Sequence, residues 1–351
     1  MQSWNELIDG VSLRHWMDER GLGAGAISGV APLAGGTQNV LLRFRRGNRD
    51  FVLRRAAPGV RPDADALILR EARFLKALGG SAVPHSTLLA WCDDPSIAGA
   101  AFFLMELVEG INPIKGLPPP LQSHDAQFAM GMALADGLAS LAAIDIETAG
   151  LADLHRPGDY LARQVPRWLK QLDSYRQFDG WPGKGSLPRV DDIGNWLEHN
   201  RPETQRTGIV HGDCHIGNTL FRADRPELAA IIDWELATIG DPLVDLGTLV
   251  ATWQEDDSPI AEGLRVSPWR GFPTASQLID RYRDRSGTDI DRIDWYVVLA
   301  CFRLAIICEG SFARAAAGLT DRETGEQLHQ GALTLLDRAM RRLQGQYAQG
   351  S

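Results

Sequence analysis

Residues 209–247 read IVHGDCHIGNTLFRADRPELAAIIDWELATIGDPLVDLG and hold most of the chain's chemically unusual side chains. Short apolar runs separated by Gly, Asp, Asn and Pro predict strand, loop, strand, turn and strand over residues 209–235. Asp213 and Asn218 lie five residues apart on the predicted loop, and Asp233 ends the last apolar run. All three are hard oxygen donors. A magnesium ion on a polyphosphate takes one or two protein side chains and completes its shell with phosphate and water, so Asn218 and Asp233 suit that task from adjacent elements of one hairpin. A carboxylate on the same loop that does not ligate the metal, Asp213, can orient a hydroxyl and accept its proton as phosphorus is attacked. Any one of these residues alone reads as a loop former; their joint spacing carries the chemistry. His211, Asp213 and His215 alternate and offer a second reading as a transition-metal site, against which stand Gly212 and the lack of a further ligand.

Upstream of this stretch, ISGVAPL, NVLLRFRR and FVLRR between Ile27 and Arg55 predict a β-meander. A turn holding Gly35, Gly36 and Thr37, with Asn39 just beyond, joins its first two strands. ALILREARFLKAL places Glu71 within a predicted helix, and HSTLLAWC and AAFFLMELV predict two more strands. Trp4 to Arg20 has an amphipathic helical pattern. The proline-rich INPIKGLPPPL then marks a boundary, giving expected domains of 1–108 and 109–351. Beyond it, helical periodicity is expected near 127–144, 159–177, 189–199, 244–254, 274–286, 292–314 and 322–346. The fold class expected is α+β, a small antiparallel sheet with one helix joined to a larger, mainly helical region.

Composition narrows the partners. The 351 residues are 44% hydrophobic and 23% charged, close to globular averages. Thirty-six basic against 45 acidic side chains give a formal charge of −9, the wrong sign for gripping nucleic acid over a broad surface. The apolar stretch Trp295 to Ile307 is interrupted by Arg303, and the N-terminus lacks a signal-peptide pattern, so no membrane partner and a cytoplasmic location are expected. Residues 1–110 carry 12 basic and 12 acidic groups, which leaves the whole −9 to the rest of the chain. Asp256, Asp257 and Glu309 there are candidates for an acidic surface facing a cationic substrate. The four cysteines show no CxxC spacing and are expected to be free thiols.

HGDCHIGNTLF, the 14-residue gap from Asn218 to Asp233, and GDPLVDLG together resemble the aminoglycoside phosphotransferase and choline kinase-like family, a relative of protein kinases. FVLRRAAPG and RYRDRSGTDIDRIDWYVVLACFRLAIICEG resemble the subgroup akin to the kinase domain attached to some acyl-CoA dehydrogenases. The resemblance implies a bilobal kinase-like fold and an ATP- and Mg2+-dependent small-molecule kinase. Asp213 would act on the acceptor hydroxyl, Asn218 and Asp233 would hold magnesium, and His211 would be scaffold. Asp241 and Asp245 would cap the next helix and support the loop. Gly35, Gly36, Thr37 and Asn39 would cover the nucleotide phosphates, and the strand end Met105 to Val108, with Glu106 and Val108, would bind the adenine edge. Where the family places a lysine paired with a helix glutamate, this chain has Arg54, with Glu71 as its partner. Arg55 remains an alternative inward residue, and Glu235 is expected to face solvent. The implied acceptor is a hydroxyacyl compound, an amino alcohol or an aminoglycoside. The arginine also leaves open a second class, a nucleotide-binding scaffold without transfer activity.

Overall fold

The computed structural model describes residues 8–33, 39–57, 63–254 and 264–349. Gly35, Gly36, Thr37, Asp256 and Asp257 lie outside them. Strands β1 (Ile27–Pro32), β2 (Asn39–Arg46), β3 (Arg49–Ala56), β4 (Leu88–Cys92) and β5 (Phe102–Glu106) form one antiparallel sheet in the order β1-β2-β3-β5-β4. The two-residue pleat sorts its side chains. Leu42, Phe44, Phe51, Leu53, Phe102 and Leu104 face one way and bury against Leu13, Trp16 and Met17 of helix α1 (Gly10–Asp18). Of the expected Trp4–Arg20 element, residues 4–7 lie outside the described residues, and Asp9 starts the described helix by accepting a hydrogen bond from Val11 N–H at 2.9 Å. Phe103 and Met105 face the opposite way, into a second and larger core.

That larger core belongs mostly to the helical region. Helix α2 (Ala64–Leu78) contributes Ile68, Ala72, Phe74, Leu75 and Leu78 to it. Next come α3 (His124–Ala142), α4 (Gln164–Ser174), α5 (Val190–His199), α6 (Leu243–Ala251), α7 (Ala275–Ser286), α8 (Ile293–Ala316) and α9 (Arg322–Gln349). Ser123 caps α3, and Thr274 with Gln277 forms a capping box on α7. By length and hydropathy α8 could cross a bilayer, yet 72% of its apolar window is buried within the protein. It is the central core helix, packed between α6 and α9. Arg303, which interrupts its sequence, is itself buried and donates to Thr248 Oγ1 at 3.0 Å.

Residues 208–240 differ from the expected order of strands. β6 (Gly208–Val210) pairs with β9 (Thr238–Gly240), a strand the sequence pattern did not reveal, while β7 (Thr219–Phe221) pairs with β8 (Leu228–Ile231). The result is two small two-stranded sheets, with the loop carrying Asp213 between β6 and β7 and Asp233 just after β8. Ile111, past the end of β5, exchanges two backbone hydrogen bonds with Phe221, at 2.7 and 2.9 Å, and so ties the crossover to β7. Glu309 is wholly buried, with Trp181 Nε1, Ser186 Oγ and His329 Nδ1 at 2.6–2.7 Å, which corrects its expected place on an acidic surface. A carboxylate so far from water is stabilised only because these partners surround it.

Candidate active site

Pleat alternation decides which arginine faces the site. Arg54 pairs across the sheet with Leu41 and Phe103 and points toward α2, whereas Arg55 turns the other way and donates to the carbonyls of Ala56 and Ala98. Arg54 Nε lies 2.9 Å from Glu71 Oε2, with both side chains buried. Its Nη2 reaches Asp233 Oδ1 at 3.1 Å and Glu235 Oε2 at 3.0 Å. Glu235 also accepts from Asn39 Nδ2 at 2.6 Å, so it is a member of the cluster rather than a solvent-facing side chain. Three carboxylates thus share one guanidinium. Burial raises the Glu71 carboxyl to about 8 against the pull of Arg54, with the charges of Asp233 and Glu235 adding to the rise. Burial and the charge of Asp233 likewise raise Glu235. The cluster is short of positive charge.

On the facing side, the loop is held by backbone bonds to buried groups. His211 N–H and Gly212 N–H donate to the two carboxylate oxygens of Asp245 at 2.6 and 2.9 Å. His211 Nε2 faces Ile232 O at 2.9 Å, and its Nδ1 accepts from Asp213 N–H at 3.2 Å. These two partners assign the proton to Nε2. The imidazole therefore links loop to hairpin and does not converge with His215 on a metal; among the described residues no group of three His, Cys, Asp or Glu is placed to hold one. Asp245 is inside α6 rather than at its cap, and the capping contact belongs to Asp241, which accepts from Leu243 N–H at 3.0 Å. Gly212 has φ +88°, and a Cβ there would stand 2.6 Å from Leu236 O, so this position admits only glycine without strain.

Asp213 is joined to Asn218, whose Nδ2 donates to the Asp213 carbonyl and to its Oδ2, both at 2.9 Å. His215 Nε2 stands 3.4 Å from the same Oδ2. Burial would raise the Asp213 carboxyl, but the hydrogen bond and charge of His215, with the charge of Arg303, hold it down at about 2. It is an anion at neutral pH. Asp233 has φ +67° and ψ 63°, a left-handed conformation uncommon for a residue other than glycine and a form of strain that collects at functional sites. Asn218 and Asp233 both line one cleft and carry side-chain oxygens, and the surplus of carboxylates beside them fits a divalent cation; two side-chain oxygens suffice for magnesium on a polyphosphate.

That cleft, of about 1150 Å³, lies between the sheet and the helical region and is lined by Asn39, Arg54, Glu71, Glu106, Val108, Asn218 and Asp233. Asp213 is not one of its lining residues but is hydrogen-bonded to Asn218, which is. Apolar walls come from Leu33, Leu41, Val52, Met105, Leu220 and Ile231. Glu106 N–H is engaged by Thr87 O at 2.9 Å and its carbonyl accepts from Ser86 Oγ, while its carboxylate pairs with Arg49 at 2.6 Å. Leu107 and Val108 line the cleft and make no backbone hydrogen bond among the described residues, which leaves those backbone groups available to a ligand. Asn112 is a site residue that sequence reasoning missed: its Nδ2 donates to Gly217 O at 2.6 Å and steadies the turn before Asn218. Its sequence signal is an asparagine preceding Pro113, which reads only as a turn.

Comparison with known proteins bears on the family and the fold. Residues 29–294 match the profile of the phosphotransferase enzyme family. Acyl-CoA dehydrogenase family member 10 of Mus musculus is 33% identical over 300 residues, which cover 83% of this chain and 27% of that protein. Probable acyl-CoA dehydrogenase IBR3 of Arabidopsis thaliana is 31% identical over 80% of this chain and 36% of its own length. The chain thus spans well under half of these curated relatives. A solved structure from Ralstonia eutropha, named a candidate aminoglycoside phosphotransferase, superimposes with a TM-score of 0.79 at 28% identity, covering 95% of this chain and 99% of that one. Aminoglycoside phosphotransferase APH(4)-Ia in complex with AMP-PNP and hygromycin B shares the fold, with a TM-score of 0.59 at 16% identity, over 92% of this chain and 98% of that one.

Proposed function

The chain belongs to the phosphotransferase enzyme family, and from that premise we propose that it transfers the γ-phosphate of ATP, with magnesium, to a hydroxyl of a small molecule. One observation carries the reading: Asn218, Asp233 and the Arg54–Glu71 pair converge on a single cleft, with the Asp213 carboxylate hydrogen-bonded to Asn218. Leu41, Val52 and Met105 from the sheet, with Leu220 and Ile231 from β7 and β8, would enclose the adenine, and the backbone of Val108 would read its edge. Asn218 and Asp233 would hold magnesium, which supplies charge neutralisation at the phosphate oxygens. Arg54 places permanent positive charge beside them, and its planar fork contacts phosphate at two points where an ammonium offers one. Asp213, anionic and oriented by Asn218 and His215, accepts the hydroxyl proton as the oxygen attacks phosphorus. The acceptor is a hydroxyacyl compound, an amino alcohol or an aminoglycoside; the relatives fused to acyl-CoA dehydrogenases favour the first.

The direct test is calorimetric titration with ATP, with and without magnesium, on the native chain and on Asp233→Ala. Magnesium-strengthened binding that Asp233→Ala weakens at least tenfold supports the reading. A second reading, nucleotide binding without transfer, draws on the contact of Arg54 with Asp233, because a guanidinium already neutralising that carboxylate competes with a metal. ATP binding indifferent to magnesium, with no ADP release toward any hydroxyl acceptor, would favour it.

A further inference from the structure

Among the described residues, three polar side chains that line the cleft are buried: Arg54, Glu71 and Ser86. Arg54 and Glu71 hold each other at the phosphate end. Ser86, which the reading above leaves without a task, belongs to the other end, where Leu41, Val52, Leu75, Met105 and Ile231 make the walls apolar. Its Oγ donates to the carbonyl of Glu106, whose N–H in turn donates to Thr87 O at 2.9 Å. The carboxylate of Glu106 is engaged elsewhere, by Arg49 at 2.6 Å. The segment that carries Ser86 is also pinned: Pro84 O accepts from Ile231 N–H of β8 at 2.8 Å, and Val83 O lies 2.7 Å from His85 Nδ1. Ser86 Oγ is thus a fixed point on a buried wall, and only its hydrogen can turn.

A serine hydroxyl has one hydrogen to give and two lone pairs to offer. Here the hydrogen is spent on Glu106 O, so Ser86 shows a ligand acceptor character, and Glu106 O, with a lone pair remaining, shows the same. Peptide groups two residues apart along an extended chain share an edge. With the backbone of Val108 reading one point of a purine edge, the Ser86–Glu106 pair therefore stands beside the next point along it, the substituent on carbon 6. Adenine carries an amino group there, and its hydrogens suit both acceptors. Guanine carries a carbonyl oxygen, which meets lone pairs on both. That oxygen can take the serine hydrogen only by depriving Glu106 O of its donor, and a buried acceptor left unpaired is costly. We propose that Ser86 is the residue that selects adenine over guanine nucleotides in this cleft. The inference rests on the nucleotide-dependent reading above and adds to it the choice of base.

The test is calorimetric titration of the full chain with ADP, GDP and IDP, each with magnesium, on the native protein and on Ser86→Ala. IDP has the oxygen of guanine at carbon 6 without the 2-amino group, so it isolates the position that Ser86 faces. The native chain should bind ADP at least about tenfold more tightly than either GDP or IDP. Ser86→Ala should weaken ADP by about three- to tenfold, the size of one hydrogen bond between neutral groups. GDP and IDP should stay within about twofold, so the preference narrows by the factor that ADP loses. A serine that merely clasps β4 to β5 would give an equal loss for all three nucleotides, and that result overturns the proposal. An unchanged preference in Ser86→Ala overturns it too, as does a native chain that binds GDP as tightly as ADP. Rejection of GDP alongside tight binding of IDP would move the discrimination to the 2-amino group and away from Ser86. If no nucleotide binds, with or without magnesium, the phosphotransfer reading fails and this inference falls with it; ADP binding with a preference that Ser86→Ala leaves intact sinks this inference alone.

Discussion

Asp213, Arg54 and Glu71 carry three separable effects. In the proposed role of Asp213 as general base, which contributes about 10²–10⁴-fold, Asp213→Asn is expected to lower kcat by about a thousandfold while leaving ATP affinity within twofold, as steady-state kinetics and calorimetry can check. Arg54→Ala removes the guanidinium shared by three carboxylates and leaves the buried Glu71 carboxyl without its partner; leaving a buried polar group unpaired costs about 1–3 kcal/mol, measurable as a lower urea midpoint. Glu71 also gives a pH dependence whose sign is fixed. Its carboxyl is raised in the folded chain from 4.5 to about 8, so the folded state holds the proton more tightly than the unfolded one. That stabilisation is complete below about pH 4.5 and is lost as pH rises toward and through 8. Between pH 5 and 8.5, Tm should therefore fall in the native chain and fall less in Glu71→Gln. A native Tm slope equal to that of the variant would contradict the assignment.

The loop between β6 and β7 shows how secondary elements hold a site that has little regular structure of its own. Its backbone N–H groups at His211 and Gly212 find their acceptors on α6, through Asp245, because the loop has no strand partner there. Asp245→Ala leaves two buried donors without an acceptor, each costing about 1–3 kcal/mol, and should lower both the urea midpoint and kcat. Gly212→Ala acts on the same loop by another route. The left-handed conformation and a Cβ only 2.6 Å from Leu236 O demand a shift of the turn; about 1–3 kcal/mol of strain is expected, with kcat falling more than ATP affinity since Asp213 is the next residue. Arg54, by contrast, sits on a strand whose register with Leu41 and Phe103 leaves little freedom to move.

Across the whole molecule, the sheet is divided between two cores. Its outer face closes on α1, but its inner face and all of α2 merge with the core of the helices. Phe74 is fully buried in the merged core, and Phe51 is fully buried in the outer one. Phe74→Ala should cost about 3–5 kcal/mol and shift one cooperative transition, seen at the same urea midpoint by circular dichroism and by tryptophan fluorescence. Separate transitions for the two signals would show that the sheet folds as its own unit. Continuity through α2 also lets the helix bearing Glu71 sense both lobes.

How much of this is legible in the sequence differs by residue. Asp213, Asn218 and Asp233 stand out because their spacing on a loop and hairpin is local, and the meander, α2 and the longer helices stand out because pleat and helix periodicities are properties of consecutive residues. The alternation also favours Arg54 over Arg55 without deciding it, since a strand's faces are equivalent until something covers one of them. β9 is invisible there because three residues, Thr238–Gly240, carry no pattern, and they become a strand only through pairing with β6. The sequence pattern assigns Glu235 to solvent and Glu309 to an acidic surface; both are held instead by residues distant in the chain, Asn39 and Arg54 for the first, Trp181 and Ser186 among those of the second. The sequence by itself determined the chemistry of the loop and the order of elements, because covalent neighbours set them. The tertiary structure alone decided which charges meet, because burial and pairing depend on distances through space between elements far apart in the chain.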